Sequence, residues 1–337
     1  MSIITVIGSG VMGSAMSFPC RENGHTVRLV GTKLDREIID HLKSTGYHLN
    51  LKRTLPDAVE YYQLEELKQA LFCADLIICG VSSFGVEWFS EEIIPVLPID
   101  VPVLSVTKGL IIRYNDSLIS YPLYYAQKYL GRDFCAIGGP CTAYELSDLD
   151  NTHVCFCGKN MDLLHEIKEM LKTPYYHISL SKDIEGLEFA VAIKNAYALA
   201  VTLAVGLSLK DSETLHYNSQ AALFGQSVKE MRSLLALFGH KDDNIVYGAG
   251  DLYVTVFGGR TRMLGTLLGK GYRFKAAVEK LSDTTLESVI ITKRIGDAVL
   301  SKIKSGKADK KAFPLLMHVY DIIVNDAVVS IPWESFT

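Results

Sequence analysis

The sequence predicts an α/β domain with a doubly wound, mostly parallel sheet, followed by an all-α domain. Three observations lead to this prediction. Short apolar strands alternate with helical segments up to about residue 180, helical patterns continue after residue 183 without further strands, and a loop with regularly spaced glycines follows the first strand. We therefore predict one domain over residues 1–180 and a second over residues 181–337.

The strands of the first domain are short apolar runs. Residues 3–8, IITVIG, are β-branched and apolar and end at a glycine, which is typical of a fully buried strand. Helical patterns such as LEELKQAL and MDLLHEIKEMLK separate most of the strands. This alternation indicates a sheet that is covered on both faces. The other predicted strands are residues 26–30, 75–81, 101–106, 134–139 and 152–158.

The second domain opens with a long apolar helix. Residues 189–206, FAVAIKNAYALAVTLAVG, could form a membrane span, a helix with a buried structural pair, or a helix that carries a catalytic base. Lys194 and Asn195, and the absence of a second span beside them, favour a helix that is buried in protein. Because no Pro/Gly/Ser-rich linker precedes it, we expect this helix to pack the second domain closely on the first. Further helices are predicted at residues 219–239, 272–281, 288–300 and 314–325.

The composition is that of a globular protein with two cores: 337 residues, 48% hydrophobic and 21% charged, with a formal net charge of -4. This slightly acidic balance gives no electrostatic reason to expect nucleic acid or an anionic membrane as a partner. The seven cysteines include no CxxC pair, so we expect neither a disulfide framework nor a metal site. The amino terminus lacks the basic segment of a secretion signal, and we expect a cytoplasmic protein.

The glycine loop predicts a dinucleotide site. Gly8, Gly10 and Gly13 have the G-x-G-x-x-G spacing, follow a buried strand and open a helix. In that context the glycines allow a tight turn and close approach of the backbone to a pyrophosphate, towards which the helix N–H groups point. The first domain is therefore predicted to be of the Rossmann type.

The end of the second strand bears on the choice of cofactor. An acidic residue at that place would bind the ribose 2′-hydroxyl of NAD. The sequence instead reads Gly31-Thr32-Lys33, and Asp35 comes later. A hydroxyl and a lysine suit a 2′-phosphate better, so we expect NADP(H) in preference to NAD(H). The alternative is that Lys33 is only a solvated surface charge.

Six polar motifs follow one another along the chain: GVSSF, VTKG, GGPCTAYE, AIKN, GAGDLYVTVFGGRTR and LES. Together they resemble the NAD(P)-dependent glycerol-3-phosphate dehydrogenases, from residue 3 to about residue 290. The resemblance depends on the whole set: a TKG lysine, a KN lysine, and a G-D-L whose Asp is followed by Thr four residues on and by Arg nine residues on.

The resemblance implies a role for each matching residue. Lys194 would be the general acid or base at the C2 oxygen of the substrate, Lys108 would contact substrate and nicotinamide, and Asp251 would complete the catalytic set. Arg260 would hold the substrate phosphate. The implied substrate-binding residues are Lys108, Gly139, Cys141, Asn195, Thr255, Arg260 and Thr261. The glycine loop, the end of the second strand and the matching motifs together give the predicted cofactor-binding residues Gly8, Ser9, Gly10, Val11, Met12, Gly13, Thr32, Lys33, Ser82, Ser83, Lys108, Ala143, Arg260 and Glu287.

Elementary chemistry supports the lysine and arginine roles. Hydride transfer at C2 requires a proton to be delivered to, or taken from, the developing alkoxide. A free lysine has a pKa of about 10.4 and is a poor base at neutral pH. Burial and a second ammonium nearby lower such a pKa, whereas a carboxylate raises it. An arginine fork binds two phosphate oxygens at once.

Three residues depart from the usual pattern of these enzymes. Thr261 replaces an asparagine, Cys141 replaces a serine or threonine, and Ser288 replaces a glycine. Thr261 can still donate a hydrogen bond, so a phosphorylated substrate remains compatible with the sequence. These departures bear on the identity of the substrate and leave the reaction type unchanged.

The working hypothesis is an oxidoreductase that reduces dihydroxyacetone phosphate to sn-glycerol 3-phosphate with NAD(P)H, or runs the reverse reaction. The resemblance also implies a homodimer. Two alternatives stay open. One is a dehydrogenase of the same architecture that acts on another polyol phosphate or on a 3-hydroxy acid, and the other is a non-catalytic protein that binds NAD(P)H.

Overall fold

The computed structural model describes residues 1–112, 118–211, 214–281 and 286–336. The chain forms two compact units. We call Met1–Lys108 with Ser120–Ile184 the sheet unit, and Gly109–Ile119 with Glu185–Thr337 the helical unit. The sequence analysis includes Gly109–Ile119 in its first domain; in the structure this segment groups with the helical unit, because Leu110 is part of that unit's hydrophobic core.

The sheet unit is built on eight strands. They are β1 (Ile3–Ile7), β2 (Thr26–Val30), β5 (Val59–Tyr62), β6 (Leu76–Cys79), β7 (Val103–Ser105), β10 (Phe134–Gly138), β11 (Thr152–Cys157) and β12 (Tyr176–Ser181). Their order in the sheet is β12-β11-β10-β7-β6-β1-β2-β5. Every neighbouring pair is parallel except β10 and β11, which are antiparallel. The predicted doubly wound, mostly parallel sheet is confirmed.

The two edge strands of this sheet, β5 and β12, are not predicted from the sequence. Edge strands are less enclosed than central ones, so they need no continuous apolar run. Accordingly, β5 reads VEYY and β12 reads YHISLS, with polar residues between apolar ones. Two small two-stranded sheets were also not predicted; they pair β3 (Tyr47–His48) with β4 (Arg53–Thr54) and β8 (Leu110–Ile112) with β9 (Leu118–Ser120).

Helices of the sheet unit connect the strands and cover the sheet. Apolar side chains of β1 and β2 share one core with helical residues such as Leu42 and Leu164. The α-helices are α1 (Val11–Ala15), α2 (Ser17–Glu22), α3 (Arg36–Thr45), α4 (Leu67–Ala70), α5 (Val86–Trp88), α6 (Tyr121–Lys128), α7 (Ala143–Ser147) and α8 (Met161–Leu171). Short 3-10 turns at Leu64–Glu66, Ser83–Gly85 and Ile94–Val96, and a π-helical segment at Phe89–Ile93, complete the connections.

The helical unit surrounds one long apolar helix, α9 (Ile184–Asp211). By length and composition alone the stretch Ile184–Lys210 could cross a membrane, but 83% of its most apolar window is buried inside the protein, as in the core helix of a globular domain. The helices around it are α10 (Tyr217–Leu237), α11 (Ile245–Val256), α12 (Gly259–Gly269), α13 (Phe274–Glu279), α14 (Glu287–Lys304) and α15 (Pro314–Asn325). Short 3-10 turns lie at Asp242–Asn244, Lys310–Ala312 and Trp333–Ser335.

Helices α11 and α12 are not predicted from the sequence as separate helices. Their sequences, IVYGAGDLYVTV and GRTRMLGTLLG, carry several glycines, and glycine disfavours a helix interior by roughly 1 kcal/mol relative to alanine. Tertiary packing outweighs this cost here, since Gly248, Gly265 and Gly269 lie where neighbouring helices approach closely.

A buried carboxylate ties the last long helix to the unit. Glu230 of α10 is 0% exposed, and its carboxylate accepts hydrogen bonds from the N–H groups of Leu315 and Leu316 at 2.8 and 2.9 Å. These N–H groups belong to the first turn of α15, where they have no partner within the helix. Tyr197 Oη and Gln226 Nε2 donate to the same carboxylate at 3.2 and 2.8 Å.

Replacing Glu230 with alanine is expected to destabilise the helical unit by about 3 kcal/mol, because several buried donors would lose their acceptor. Burial raises the pKa of Glu230, and the four hydrogen bonds oppose that shift. The folded pKa thus lies above the unfolded value of about 4.3, so the stability that this titration contributes is present below about pH 4.3 and is lost as the pH rises through the folded pKa.

Calorimetry of E230A and of the exposed control Glu279→Ala checks this expectation. The transition of the helical unit should fall in temperature for E230A and not for the control, and the difference should shrink as the pH is raised from 4. Equal transition temperatures for the two variants would contradict the proposed role of Glu230 as the acceptor for the first N–H groups of α15.

Candidate active site

The glycine loop has the close backbone contacts that its spacing predicts. Gly8 follows β1 with φ +108, and a Cβ atom at this position would lie 2.7 Å from the carbonyl carbon of Gly80. A Cβ atom at Gly13 would lie 2.1 Å from the carbonyl oxygen of Gly8. At Gly10, by contrast, a Cβ would meet no atom of the described chain within 4 Å. Gly8 and Gly13 thus fold the loop, and Gly10 leaves room for a ligand to approach the backbone, so the loop fits a dinucleotide pyrophosphate.

The sheet topology puts this loop where open α/β sheets bind ligands. β1 lies between β2 and β6, and the chain builds the sheet outwards from β1 in both directions. Ligands bind at such a switch point, beyond the carboxyl ends of the strands. Gly8 follows β1, while Ser82 and half-buried Ser83 come shortly after β6, so the loop and both serines lie at the same edge. Val11 and Met12, both half-buried, form the first turn of α1.

The structure brings Asp35 to the end of β2, although the sequence analysis regards it as lying past the ribose position. Its Oδ2 accepts hydrogen bonds from the backbone N–H and the hydroxyl of Thr32, both at 2.8 Å. The same oxygen accepts from the backbone N–H of Ser9 in the glycine loop at 3.3 Å. A turn after β2 folds the carboxylate of Asp35 back onto the glycine loop. In the sequence, the sign of this contact is an acidic residue three positions after Thr32.

His48 supports the other side of the glycine loop, a contact that the sequence analysis does not predict. It is 0% exposed, and its Nδ1 accepts a hydrogen bond from the N–H of Leu51 at 3.1 Å. Nε2 therefore carries the proton and donates to the carbonyl oxygen of Ser9 at 2.8 Å. No sequence motif marks this histidine, because its partner lies 39 residues away.

Lys33 lies just after β2 and is exposed, as expected for a residue that could meet a ligand from solvent. Its Nζ lies 2.6 Å from Oε2 of Glu92, and the side chains are 59% and 50% exposed. This pairing lowers the pKa of the Glu92 carboxyl through the hydrogen bond from Lys33. A ligand phosphate that binds Lys33 would have to compete with Glu92 for the ammonium.

Two further strand ends carry predicted substrate residues. Lys108 Nζ donates a hydrogen bond to the carbonyl oxygen of Gly139 at 2.8 Å. Their strands, β7 and β10, are parallel neighbours, so their carboxyl ends meet at one edge of the sheet. Half-buried Cys141 follows Gly139, and buried Ala143 opens α7. Lys108, Gly139, Cys141 and Ala143 are thereby grouped within the sheet unit.

In the helical unit, Lys194 and Asp251 form an ion pair. Lys194 Nζ lies 2.6 Å from Asp251 Oδ1, and the two side chains are only 12% and 1% exposed. Lys194 projects from α9 and Asp251 from α11, in a unit whose core consists of apolar residues of these helices. Removing water strengthens the attraction between the charges, and leaving either charge alone at such a position would be costly.

The other predicted residues of this region lie close by in sequence. Asn195 is half-buried on α9, one position after Lys194. Thr255 is half-buried on α11, and its hydroxyl donates to the backbone carbonyl of Asp251 at 2.7 Å, one turn earlier in the same helix. Glu287, also half-buried, opens α14, and the adjacent Ser288 is 0% exposed.

Arg260 and Thr261 lie in the first turn of α12, where backbone N–H groups and the helix dipole favour an anion. Arg260 is exposed and Thr261 is half-buried. Arg262 Nη1 donates to the carbonyl oxygen of Val256 at 2.7 Å, which secures the turn between α11 and α12. Thr202 of α9 touches the Thr261 carbonyl at 3.5 Å and lies roughly 12 Å along α9 from Lys194.

Among the residues that the structure describes, no group of three or more His, Cys, Asp or Glu side chains could hold a metal ion.

The predicted site residues fall into two sets. The sheet unit contains the glycine loop, the β2 end and the Lys108 group, and the helical unit contains the Lys194–Asp251 pair, the start of α12 and Glu287.

Comparisons with known proteins identify one family over most of the chain. The model for the NAD-dependent glycerol-3-phosphate dehydrogenase N-terminus matches residues 3–164, and the model for the C-terminus of the same family matches residues 183–332. The NADP(+)-dependent glycerol-3-phosphate dehydrogenase of Archaeoglobus fulgidus is 32% identical over 83% of this chain and 83% of its own. The glycerol-3-phosphate dehydrogenase [NAD(P)+] of Desulfotalea psychrophila is 29% identical, over 95% of this chain and 92% of its own.

Solved structures agree on the fold. The crystal structure of glycerol-3-phosphate dehydrogenase from Coxiella burnetii has a TM-score of 0.79 at 23% identity and covers 99% of this chain and 97% of its own. With the paired matches to both halves of the family model, these similarities show that the chain is a member of the NAD-dependent glycerol-3-phosphate dehydrogenase family.

Proposed function

We propose that the protein catalyses the reversible, NAD(P)H-dependent reduction of dihydroxyacetone phosphate to sn-glycerol 3-phosphate. The observation that carries the proposal is the ion pair between Lys194 and Asp251, with Asp251 only 1% exposed. A charged pair buried at this depth is costly to maintain, and a dehydrogenase needs a proton donor of this kind at the carbonyl oxygen. Membership of the family and the names of its relatives support the same substrate.

The proposed mechanism assigns the proton to Lys194. When bound, the reduced nicotinamide would supply the hydride for C2 of the ketone. The ammonium of Lys194 donates a proton to the oxygen at C2 as negative charge develops there, and in the reverse direction the neutral amine accepts it. Asp251 holds the ammonium in place and stabilises its charge. Lys108 would contact the substrate and the nicotinamide, as the resemblance implies.

We propose that the phosphate of the substrate binds at the start of α12. Arg260 supplies a guanidinium fork, Thr261 supplies a hydroxyl, and the first N–H groups of the helix point towards the ligand. The resemblance implies that Asn195, Thr255, Gly139 and Cys141 make the remaining substrate contacts. Thr261 offers one hydrogen-bonding group where the family has an amide, which bears on substrate affinity.

The cofactor site is proposed to lie on the sheet unit. The glycine loop with Ser9, Val11 and Met12 would bind the pyrophosphate, and the residues after β2 would bind the adenosine ribose. Ser82, Ser83 and Ala143 at neighbouring strand ends would complete that site, and the resemblance implies cofactor contacts from Arg260 and Glu287 as well. Residues 1–180 would thus be the dinucleotide-binding domain and residues 181–337 the catalytic and substrate domain. We also propose, from the resemblance, a cytoplasmic homodimer.

The proposed preference for NADP(H) rests on Lys33 and Thr32. The exposed ammonium of Lys33 can bind a 2′-phosphate, which NAD lacks. The Thr32 hydroxyl would have to give up its hydrogen bond to Asp35 in order to donate to the phosphate. The relative from Archaeoglobus fulgidus, named as NADP(+)-dependent, is consistent with this preference. Asp35 acts in the opposite sense because its carboxylate repels a phosphate, and the hydrogen bonds from Thr32 and Ser9 hold that negative charge beside the glycine loop.

Following the oxidation of NADH and NADPH with dihydroxyacetone phosphate tests the reaction, and Lys194→Ala tests the mechanism. The wild-type protein should oxidise the nucleotide in a phosphate-dependent manner. Loss of the general acid in K194A should lower kcat by about 10²- to 10⁴-fold. Nucleotide binding, measured by fluorescence titration, should be unchanged. The exposed Lys210, near the end of the same helix, provides the control Lys210→Ala, whose kcat should match the wild type.

Three results would contradict the proposal. Turnover of K194A at the wild-type rate would remove the role of Lys194. Turnover with a ketone that carries a carboxylate in place of the phosphate, and none with dihydroxyacetone phosphate, would favour another dehydrogenase of this architecture. Tight NADPH binding without turnover of any phosphorylated or carboxylated ketone would favour a non-catalytic binding protein.

Variants of the Lys33–Glu92 pair test the cofactor preference. Lys33→Ala should raise KM for NADPH about tenfold, the equivalent of about 1.4 kcal/mol, without changing KM for NADH. Glu92→Gln should lower KM for NADPH only about two- to fivefold, since solvent and salt screen an exposed ion pair of this kind.

The control is Glu91→Gln, which removes a neighbouring carboxylate that pairs with Lys128 instead. It should change neither Michaelis constant. Equal changes of KM for NADPH in E92Q and E91Q would show that the effect comes from the net charge of the protein. Competition between Glu92 and the 2′-phosphate would then be ruled out.

A further inference from the structure

At Gly248, α11 comes close to the backbone of α9. A Cβ atom at Gly248 would lie 2.8 Å from the backbone carbonyl oxygen of Ala190 and 3.0 Å from Met231 Cε. The methionine tip is flexible and can move. Ala190, however, is 0% exposed in the middle of the core helix, so its backbone cannot give way. Any side chain at position 248 would therefore push α11 away from α9.

This contact and the ion pair are consecutive contacts of the same two helices. Ala190 lies four residues before Lys194 on α9, and Gly248 lies three residues before Asp251 on α11. Residues three or four apart share one face of a helix. The faces that meet at Ala190 and Gly248 are thus the faces that carry Lys194 and Asp251 one turn further on. A displacement of α11 at Gly248 would be transmitted to the 2.6 Å contact between Nζ and Oδ1.

Other close glycine contacts in the helical unit hold different helices. Gly265 and Gly269 of α12 pack on Thr202 and Leu203 of α9, with Cβ positions 2.0 and 2.2 Å from the nearest atoms. A Cβ atom at Gly296 of α14 would lie 2.1 Å from Tyr320 Cδ2 of α15. None of these contacts involves α11, so each can be disturbed without directly moving Asp251.

We propose that Gly248 is a positioning residue for Lys194: the absence of a side chain there fixes the spacing of α11 and α9 at which Asp251 holds the ammonium of Lys194. This inference rests on the proposed role of Lys194 in catalysis. It assigns Gly248 an effect on kcat that acts through the ion pair, in addition to its contribution to packing.

Gly248→Ala is the first test, compared with two glycine controls. G248A should lower kcat by about 10- to 100-fold, the size of effect that follows from a small misplacement of a catalytic group, and should leave KM for the nucleotide unchanged. Gly225→Ala on α10, where a Cβ would meet no described atom within 4 Å, should behave like the wild type. Gly296→Ala should lower the melting temperature but keep kcat within about twofold below that temperature.

A double-mutant cycle with Asp251→Asn separates positioning from packing. If Gly248 acts through the ion pair, adding G248A to D251N should lower kcat little further, so the two effects would not add. Fully additive losses, or a G248A enzyme with wild-type kcat, would overturn the proposal. An equal loss of kcat in G296A would also overturn it, because the effect would then follow general destabilisation.

A measurement that does not depend on turnover distinguishes this inference from the proposed function. Labelling of Lys194 by an amine-reactive reagent, followed by peptide mass spectrometry, reports whether the ammonium is held by its carboxylate. Labelling should accelerate in both G248A and D251N and stay at the wild-type rate in G296A. If the wild-type protein turned over no substrate while labelling followed this pattern, the reaction assignment would fail and the positioning role would stand. Unchanged labelling in G248A would overturn the positioning role alone.

Discussion

The ion pair of Lys194 and Asp251 is the constraint on which the organisation of the helical unit depends. An ammonium in the middle of an apolar helix is costly to bury alone, and the buried carboxylate of Asp251 offsets that cost through direct contact. This contact brings α11 against α9 at close range, which in turn requires a residue without a side chain at Gly248. The contact between α9 and α11 therefore both packs the core and positions the ammonium of Lys194.

The sheet unit fixes its ligand-binding loop in a different way. Gly8, Gly13 and Gly80 let three segments of backbone approach one another at the switch point of the sheet. Asp35 then accepts a hydrogen bond from the N–H of Ser9, and His48 donates one to the carbonyl of the same residue. The loop is held on both sides by groups outside it. Such preorganisation lowers the entropic cost of binding a dinucleotide.

Local signals in the sequence were sufficient for the fold class and for the glycine loop. Buried strands such as β1 and β6 are continuous apolar runs, and glycine spacing next to a strand is a local pattern. The edge strands β5 and β12 lack that pattern, and the glycines of α11 conceal a helix that only tertiary packing stabilises. The contact between Lys194 and Asp251 spans 57 residues, and a resemblance could name both residues without giving the distance between them. Asp35 and His48 act on the loop from 26 and 39 residues away, so no local pattern reveals them.

The segment Gly109–Ile119 makes the helical unit discontinuous in sequence. The chain passes between the units after Lys108, after Ile119 and again after Ile184. Leu110, 1% exposed, belongs to the core around α9, and Arg294 of α14 donates to its carbonyl oxygen. A fragment that begins at Glu185 would consequently lack part of its own interior. Ribosomal synthesis delivers Leu110 long before the helices that enclose it, so its side chain has none of these packing partners until the carboxy-terminal half of the chain has emerged.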